Sequence, residues 1–201
     1  FISLQGEGPF VGRPAVFVRL SRCIKPLCSW CDSAYAWEPG DMISVDDLLE
    51  QILGFKCSFI VLTGGEPFLQ WSKGLRELEE RLIQQGCTLQ YETSGKVIIP
   101  QDTKGFVVCS PKYLENQWHF KEANHAVVDA YKFVVDDDFK VVDEFVRHRQ
   151  IPASKVWLMG LGATRKSQLE NVEHIWNYCV ASGYNYSARL HTLAFDNKKG
   201  V

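Results

Sequence analysis

Apolar residues along the chain fall into two alternating patterns. The first is a set of short runs rich in β-branched and aromatic residues: Pro14–Ser21, Cys57–Thr63, Thr88–Thr93, Gly105–Ser110, Ala130–Val135, Lys155–Met159 and Tyr184–Leu190. Their length and composition predict strands. The second pattern is a helical spacing of apolar positions over Ser44–Leu53, about Leu69–Gln85, Phe139–Arg149 and about Lys166–Ser182. Ser44-Val-Asp-Asp47 carries the S-x-x-D capping signature at the start of the first of these. Residues 1–13, with three glycines and a proline around Gln5 and Glu7, read as a turn-rich loop ahead of the first strand.

Strands that alternate with helices, and that lack two-residue hairpin turns between them, predict an α/β fold with a parallel sheet and crossover helices. A closed eight-fold barrel usually needs about 250 residues, and this chain has 201. The expectation is therefore a partial, open parallel β/α barrel forming a single domain over residues 1–201, with no internal repeat and no linker rich enough in Gly, Ser or Pro to divide it. Ligands of such folds bind at the carboxyl ends of the strands. Here those ends lead into residues 23–33, 64–67, 92–95, 110–112 and 160–164.

The first of these loops carries the most chemistry. Cys23, Cys28 and Cys31 stand in a C-x4-C-x2-C spacing directly after an apolar strand. In a reducing compartment three close thiols bind a metal rather than forming disulfides, and three ligands leave one coordination position open. Taken alone the set suits zinc, with His119, His125 or another cysteine as a fourth ligand, as well as iron. The other cysteines, Cys57, Cys87, Cys109 and Cys179, are isolated in apolar or mixed surroundings and read as core residues.

Charge narrows the partners. A formal net charge of −2, without a long Lys/Arg run, argues against a nucleic-acid surface and for a small-molecule partner. No run approaches the roughly 18–20 apolar residues that span a bilayer, and no basic segment leads into an apolar one at the start. The expected location is cytoplasmic, with no membrane contact.

Two further motifs change the reading of the cysteines. Gly64-Gly65-Glu66-Pro67 closes the strand after the cysteine loop, and three cysteines followed by a strand ending in this motif resemble the radical S-adenosylmethionine superfamily. Gln5-Gly6-Glu7-Gly8, Arg19, Cys31-Asp32-Ser33, Glu92-Thr93-Ser94-Gly95, Ser110-Pro111-Lys112 and His191 narrow the likeness, over the whole chain, to the 7-carboxy-7-deazaguanine synthase family. Other small members of the superfamily, such as glycyl-radical activases, and a non-enzymatic metal-binding protein are the alternative readings.

The resemblance implies a shortened radical-SAM barrel, a homodimer and an electron donor such as a flavodoxin or ferredoxin. It implies a [4Fe–4S] cluster on Cys23, Cys28 and Cys31, with S-adenosyl-L-methionine on its open iron. The activity implied is rearrangement of 6-carboxy-5,6,7,8-tetrahydropterin to 7-carboxy-7-deazaguanine with loss of ammonia, on the route to queuosine and related deazapurines. Trp30, Cys31, Asp32, Gly65, Glu66, Ser94, Ser110, Pro111, Lys112, Met159, Gly160, Leu161 and Gly162 would bind the cofactor. Leu4, Gln5, Gly6, Glu7, Arg19, Thr63, His191 and the C-terminal Val201 would bind the substrate, and Ser33 would ligate Mg2+. Two departures from the family's pattern stand in the cysteine loop. One additional residue separates Cys23 from Cys28 relative to the usual C-x3-C, and Ser33 occupies a position where Thr is more common.

Overall fold

The computed structural model describes residues 1–198. They form two compact units, one of residues 1–3 and 14–129, the other of residues 4–13 together with the chain from Ala130 onward.

In the first unit, β1 (Ile2–Leu4), β2 (Pro14–Leu20), β3 (Phe59–Gly64), β4 (Thr88–Thr93) and β5 (Phe106–Cys109) lie side by side in chain order. β2, β3, β4 and β5 pair in parallel, with Arg19 opposite Thr63 and Thr93 opposite Cys109. Phe59, Ile60, Val61 and Leu62 are all buried, as expected of a central strand covered on both faces. The crossovers carry α1 (Val45–Gly54) and α2 (Leu75–Gln84). The Ser44 hydroxyl accepts from Asp47 N at 3.1 Å, so the sequence signature for the start of α1 is also its cap.

Three local features differ from the sequence reading. The expected helix over 69–85 is a 3-10 segment, Pro67–Lys73, followed by α2, the break falling at Gly74 in a left-handed conformation. The short strand β1 lies within a segment expected to be loop. A two-residue hairpin is present after all: β6 (Lys112–Leu114) and β7 (Gln117–His119) are antiparallel, with Glu115 and Asn116 both at positive φ. That geometry matches the right-handed twist of a hairpin, but only Asn116 is a residue type that announces it.

In the second unit, β8 (Ala130–Val135), β9 (Val156–Gly160) and β10 (Asn185–Ser187) are parallel and adjacent in that order, with α3 (Lys140–His148) and α4 (Arg165–Ser182) between them. α4 starts on a reciprocal Thr164–Ser167 capping box and ends at Gly183. Register places Val135 opposite Gly160 and Met159 opposite Ser187, so the carboxyl ends of the three strands lie level. The last strand stops at Ser187 rather than at Leu190; residues Leu190–Phe195 form a short helix, α5, whose first turn holds His191. None of the described helices is long and apolar enough to cross a membrane.

Candidate active site

The cysteine loop leaves β2 at Leu20. Cys23, Cys28 and Cys31 are free thiols, all half-buried. Cys31 N donates to Cys28 O at 3.1 Å, closing a turn around Trp30, which is exposed. Between the first two cysteines the Lys25–Pro26 peptide is cis, and the Pro26 carbonyl accepts from the buried Lys96 ammonium at 2.5 Å. Burial pushes the Cys23 thiol up, Glu66 and Cys28 add to this, and an Ile24 backbone hydrogen bond and Lys96 oppose it. A raised thiol gives up its proton on meeting a cation, which makes metal loading at this loop proton-coupled.

The glycine motif is built against the same loop. Gly65 N donates to Leu20 O and Glu66 N to Arg22 O, both at 2.8 Å. A Cβ on Gly65 would stand 1.8 Å from Arg22 O, so only glycine allows this contact. The Glu66 side chain is wholly buried. Its Oε1 accepts from Thr93 Oγ1 at 2.6 Å, and its Oε2 from Ser94 N at 3.0 Å and Ser94 Oγ at 2.6 Å. The carboxylate therefore ties the end of β3 to the end of β4. Beyond β5, Ser110 N donates to Thr93 O at 2.7 Å, and Lys112 Nζ donates to Ser110 Oγ at 2.5 Å across the buried Pro111.

Arg19 donates from Nη1 to Ser33 Oγ at 3.2 Å, and Ser33 in turn donates to Asp32 Oδ1 at 3.1 Å. The guanidinium lies over the rings of Phe1 and Tyr35, at 5.4 and 5.9 Å from their centroids, which orients it without a carboxylate partner among these contacts. Thr63, half-buried, is its register neighbour on β3.

In the second unit the Gln5–Gly8 loop is held by the segment after β10. Leu190 N donates to Gly6 O and Gly8 N to Ser187 Oγ, both at 2.8 Å, while Gln5 Oε1 accepts from Glu7 N at 3.2 Å. A Cβ on Gly6 would come within 2.3 Å of His191 Nδ1, so glycine is what lets the imidazole approach this loop. Leu4, just before it, is exposed. Glu7 is the electrostatic centre. Lys132 Nζ donates to its Oε2 at 2.7 Å and Arg189 Nε to its Oε1 at 3.1 Å, with His191 Nε2 at 3.9 Å. Burial alone would raise the Glu7 carboxyl; Lys132, Arg189 and His191 outweigh it and hold the group well below the usual carboxylate range. Arg189 Nη1 also donates to Gly162 O at 2.7 Å, and Gln168 Nε2 donates to Gly160 O and Gly162 O at 2.9 and 2.8 Å. Leu161 N donates to Val135 O at 2.7 Å, so the Met159–Gly162 loop is fixed at every step.

Of the residues singled out in the sequence, Cys23, Cys28, Cys31, Asp32, Ser33, Arg19, Gly65, Glu66, Ser94, Ser110 and Lys112 belong to the first unit, and Gln5, Gly6, Glu7, Met159–Gly162 and His191 to the second. Val201 lies outside the described residues. Lys132 and Arg189 were missed. The signal for Lys132 was present, a lone cation inside the apolar run Ala130–Val135; that for Arg189 was only its closeness to His191 in the chain.

Glu66→Gln replaces an acceptor-only group with one that brings two N–H donors to Thr93 and Ser94, and is expected to cost about 1–3 kcal/mol in urea unfolding. For Glu7, whose folded pKa is depressed, the ion-pair contribution is fully present above the unfolded carboxylate pKa, about 4.3, and is lost as pH falls toward the lower folded value. Glu7→Gln is therefore expected to destabilise the protein by about 3 kcal/mol or more at pH 7. In melting curves that difference should shrink as pH falls below about 4.

No family model matches the sequence. Curated relatives do: a 7-carboxy-7-deazaguanine synthase of Hyperthermus butylicus is 36% identical over an alignment covering 96% of this chain and 89% of the relative. One of Pyrobaculum aerophilum is 35% identical, covering 100% of this chain and 94% of the relative. Among solved structures, QueE from Escherichia coli superposes with a TM-score of 0.73 at 24% identity, covering 93% of this chain and 90% of that one. The structural likeness shows the fold, an open, partial parallel β/α barrel. The near full-length similarity in sequence settles the family: this chain belongs to the 7-carboxy-7-deazaguanine synthases.

Proposed function

We propose that this protein is a radical S-adenosylmethionine lyase that converts 6-carboxy-5,6,7,8-tetrahydropterin to 7-carboxy-7-deazaguanine with loss of ammonia, in the biosynthesis of queuosine and related 7-deazapurines. The observation that carries this reading, beside membership of the family, is the backbone lock between the glycine motif and the entry to the cysteine loop. Gly65 and Glu66 donate to Leu20 and Arg22 immediately ahead of Cys23. Three free thiols on that loop fit a [4Fe–4S] cluster, whose ligands are cysteine thiolates. When bound, the cluster with S-adenosylmethionine supplies one-electron reduction and hydrogen-atom abstraction from carbon.

The chain's own residues bind and orient. With the Gly65 and Glu66 amides committed inward, this loop recognises the ammonium of the methionine moiety through its carbonyls, the backbone groups that accept from N–H. Trp30 and Asp32 flank the last cysteine on the adenine side. Ser94 donates its hydroxyl proton to Glu66, so it meets the ribose as an acceptor. Ser110 and Lys112 form a hydroxyl–ammonium pair suited to the cofactor's carboxylate, and Pro111 fixes their spacing. The Met159–Gly162 loop completes the cofactor contacts.

Leu4, Gln5, Gly6, Glu7, Thr63, Arg19 and His191 take the pterin. The ionised Glu7 accepts from its amino and ring N–H edge, and Arg19, already oriented over Phe1 and Tyr35, forks onto its carboxylate. Ser33 supplies a hard oxygen for Mg2+, a cation that keeps water and substrate oxygens in its shell. Arg19 holds the Ser33 hydroxyl in this structure. Drawing the guanidinium to the substrate carboxylate frees a Ser33 lone pair for the ion. The protein acts as one radical-SAM domain in a cytoplasmic homodimer, reduced by a flavodoxin or ferredoxin, without nucleic-acid or membrane partners.

Anaerobic reconstitution with iron and sulfide, followed by reduction and addition of S-adenosylmethionine and the carboxytetrahydropterin, is expected to give cluster absorbance, 5′-deoxyadenosine and the deazapurine. Cleavage of the cofactor with no deazapurine would keep the chemistry and reject the substrate; absence of cluster absorbance would sink both. Cys28→Ala should lose the absorbance and both products. Ser33→Ala should leave the absorbance intact while raising the Mg2+ concentration for half-maximal turnover roughly tenfold, the effect of losing one ligand interaction of about 1.4 kcal/mol.

A further inference from the structure

From the contacts around Glu7 we infer that Lys132 and Arg189 are positioning residues for substrate recognition, holding the Glu7 carboxylate in one orientation and tying it to the Gly162 carbonyl. The inference rests on the pterin reading above. It goes further in naming two residues that touch no reacting atom and act through a third.

The side chains of Lys132 and Arg189 are 5% and 9% exposed, against 17% for Glu7. Neither cation is a surface partner whose loss water would make good. They approach different oxygens, Lys132 on Oε2 and Arg189 on Oε1. A carboxylate oxygen has two lone-pair positions, and among the described residues each Glu7 oxygen accepts one hydrogen bond from these cations, with His191 Nε2 farther off at 3.9 Å from Oε1, so one acceptor position remains on each within this set. Two adjacent acceptors are the complement of two adjacent donors, the exocyclic amino group and ring N–H of a 2-aminopyrimidinone.

The cations also come from different elements, Lys132 from β8 and Arg189 from the segment between β10 and α5. Opposed pulls from two directions leave the carboxylate little freedom to rotate about its terminal torsion, which is otherwise broad and soft. The fork of Arg189 adds a second link. With Nε on Glu7 and Nη1 on Gly162 O, one planar group joins the Gln5–Gly8 loop to the loop after β9. A lysine at position 189 keeps the charge but cannot make both contacts in one plane. The two positions thus separate charge from geometry.

The test is a double-mutant cycle on affinity for the carboxytetrahydropterin, measured directly on the anaerobically reconstituted protein, with melting temperature recorded for every variant. Lys132→Met and Glu7→Gln are each expected to weaken binding at least tenfold. Lys132→Met made in the Glu7→Gln background should add less than threefold, because the lysine acts through the carboxylate. Lys132→Arg should stay within about threefold of the parent. Arg189→Lys, which keeps the charge and so guards against a Lys132→Met protein that does not fold, should weaken binding at least fivefold. Effects of Lys132→Met and Glu7→Gln that multiply, or an Arg189→Lys protein that binds like the parent, would overturn the inference while leaving the substrate reading in place. A parent protein that binds no carboxytetrahydropterin overturns both.

Discussion

Everything proposed for the cysteine loop depends on two backbone hydrogen bonds, from Gly65 to Leu20 and from Glu66 to Arg22. A loop of three cysteines has no intrinsic shape, and ordering each of its residues costs about 1–2 kcal/mol in backbone entropy. The bonds continue the β2–β3 ladder past the strand ends and deliver the chain to Cys23 along a defined path. Steric contact enforces the arrangement, since the space a side chain at position 65 would need is filled by the Arg22 carbonyl. The Lys96 ammonium on the Pro26 carbonyl then holds the loop between Cys23 and Cys28.

Buried carboxylates recur as cross-links in the first unit. Glu66 gathers Thr93 and Ser94; Glu79, almost completely buried on α2, accepts from Tyr91 Oη at 3.1 Å and from Lys104 N and Gly105 N at 3.0 Å each. In both cases one side chain satisfies several donors, and burying the charge is tolerated because they share it. Glu7 is built on a different plan. Its donors are cations, and the lone-pair positions they leave over suit it to bind rather than to brace.

The strands β2–β5 and β8–β10, the α/β class, the helices α1, α3 and α4 and the order of the loops were legible in the sequence, because period-2 and period-3.6 patterns are local consequences of which face of an element is buried. The hairpin of β6 and β7 was not. Its turn needs positive φ at two residues, and Glu115 does not announce one. The end of β10 was also missed, because Tyr184–Leu190 looks strand-like throughout, while the bond from Leu190 N to Gly6 O turns the backbone away after Ser187. That contact joins residues far apart in the chain and leaves no periodic trace.

By itself the sequence determined the family and the chemistry on offer: the three thiols, the glycine motif, the Gln5–Glu7 loop and Arg19. These are sets of residue types at fixed spacings, and spacing survives in one dimension. Only the tertiary structure decided what each polar group already spends its hydrogen bonds on. It committed the Glu66 carboxylate to β4, placed Arg19 on the Ser33 hydroxyl, and surrounded Glu7 with Lys132 and Arg189. The reason is physical. A side chain's availability to a ligand depends on neighbours brought together by folding, and Glu7 is 125 residues from Lys132 and 182 from Arg189 along the chain.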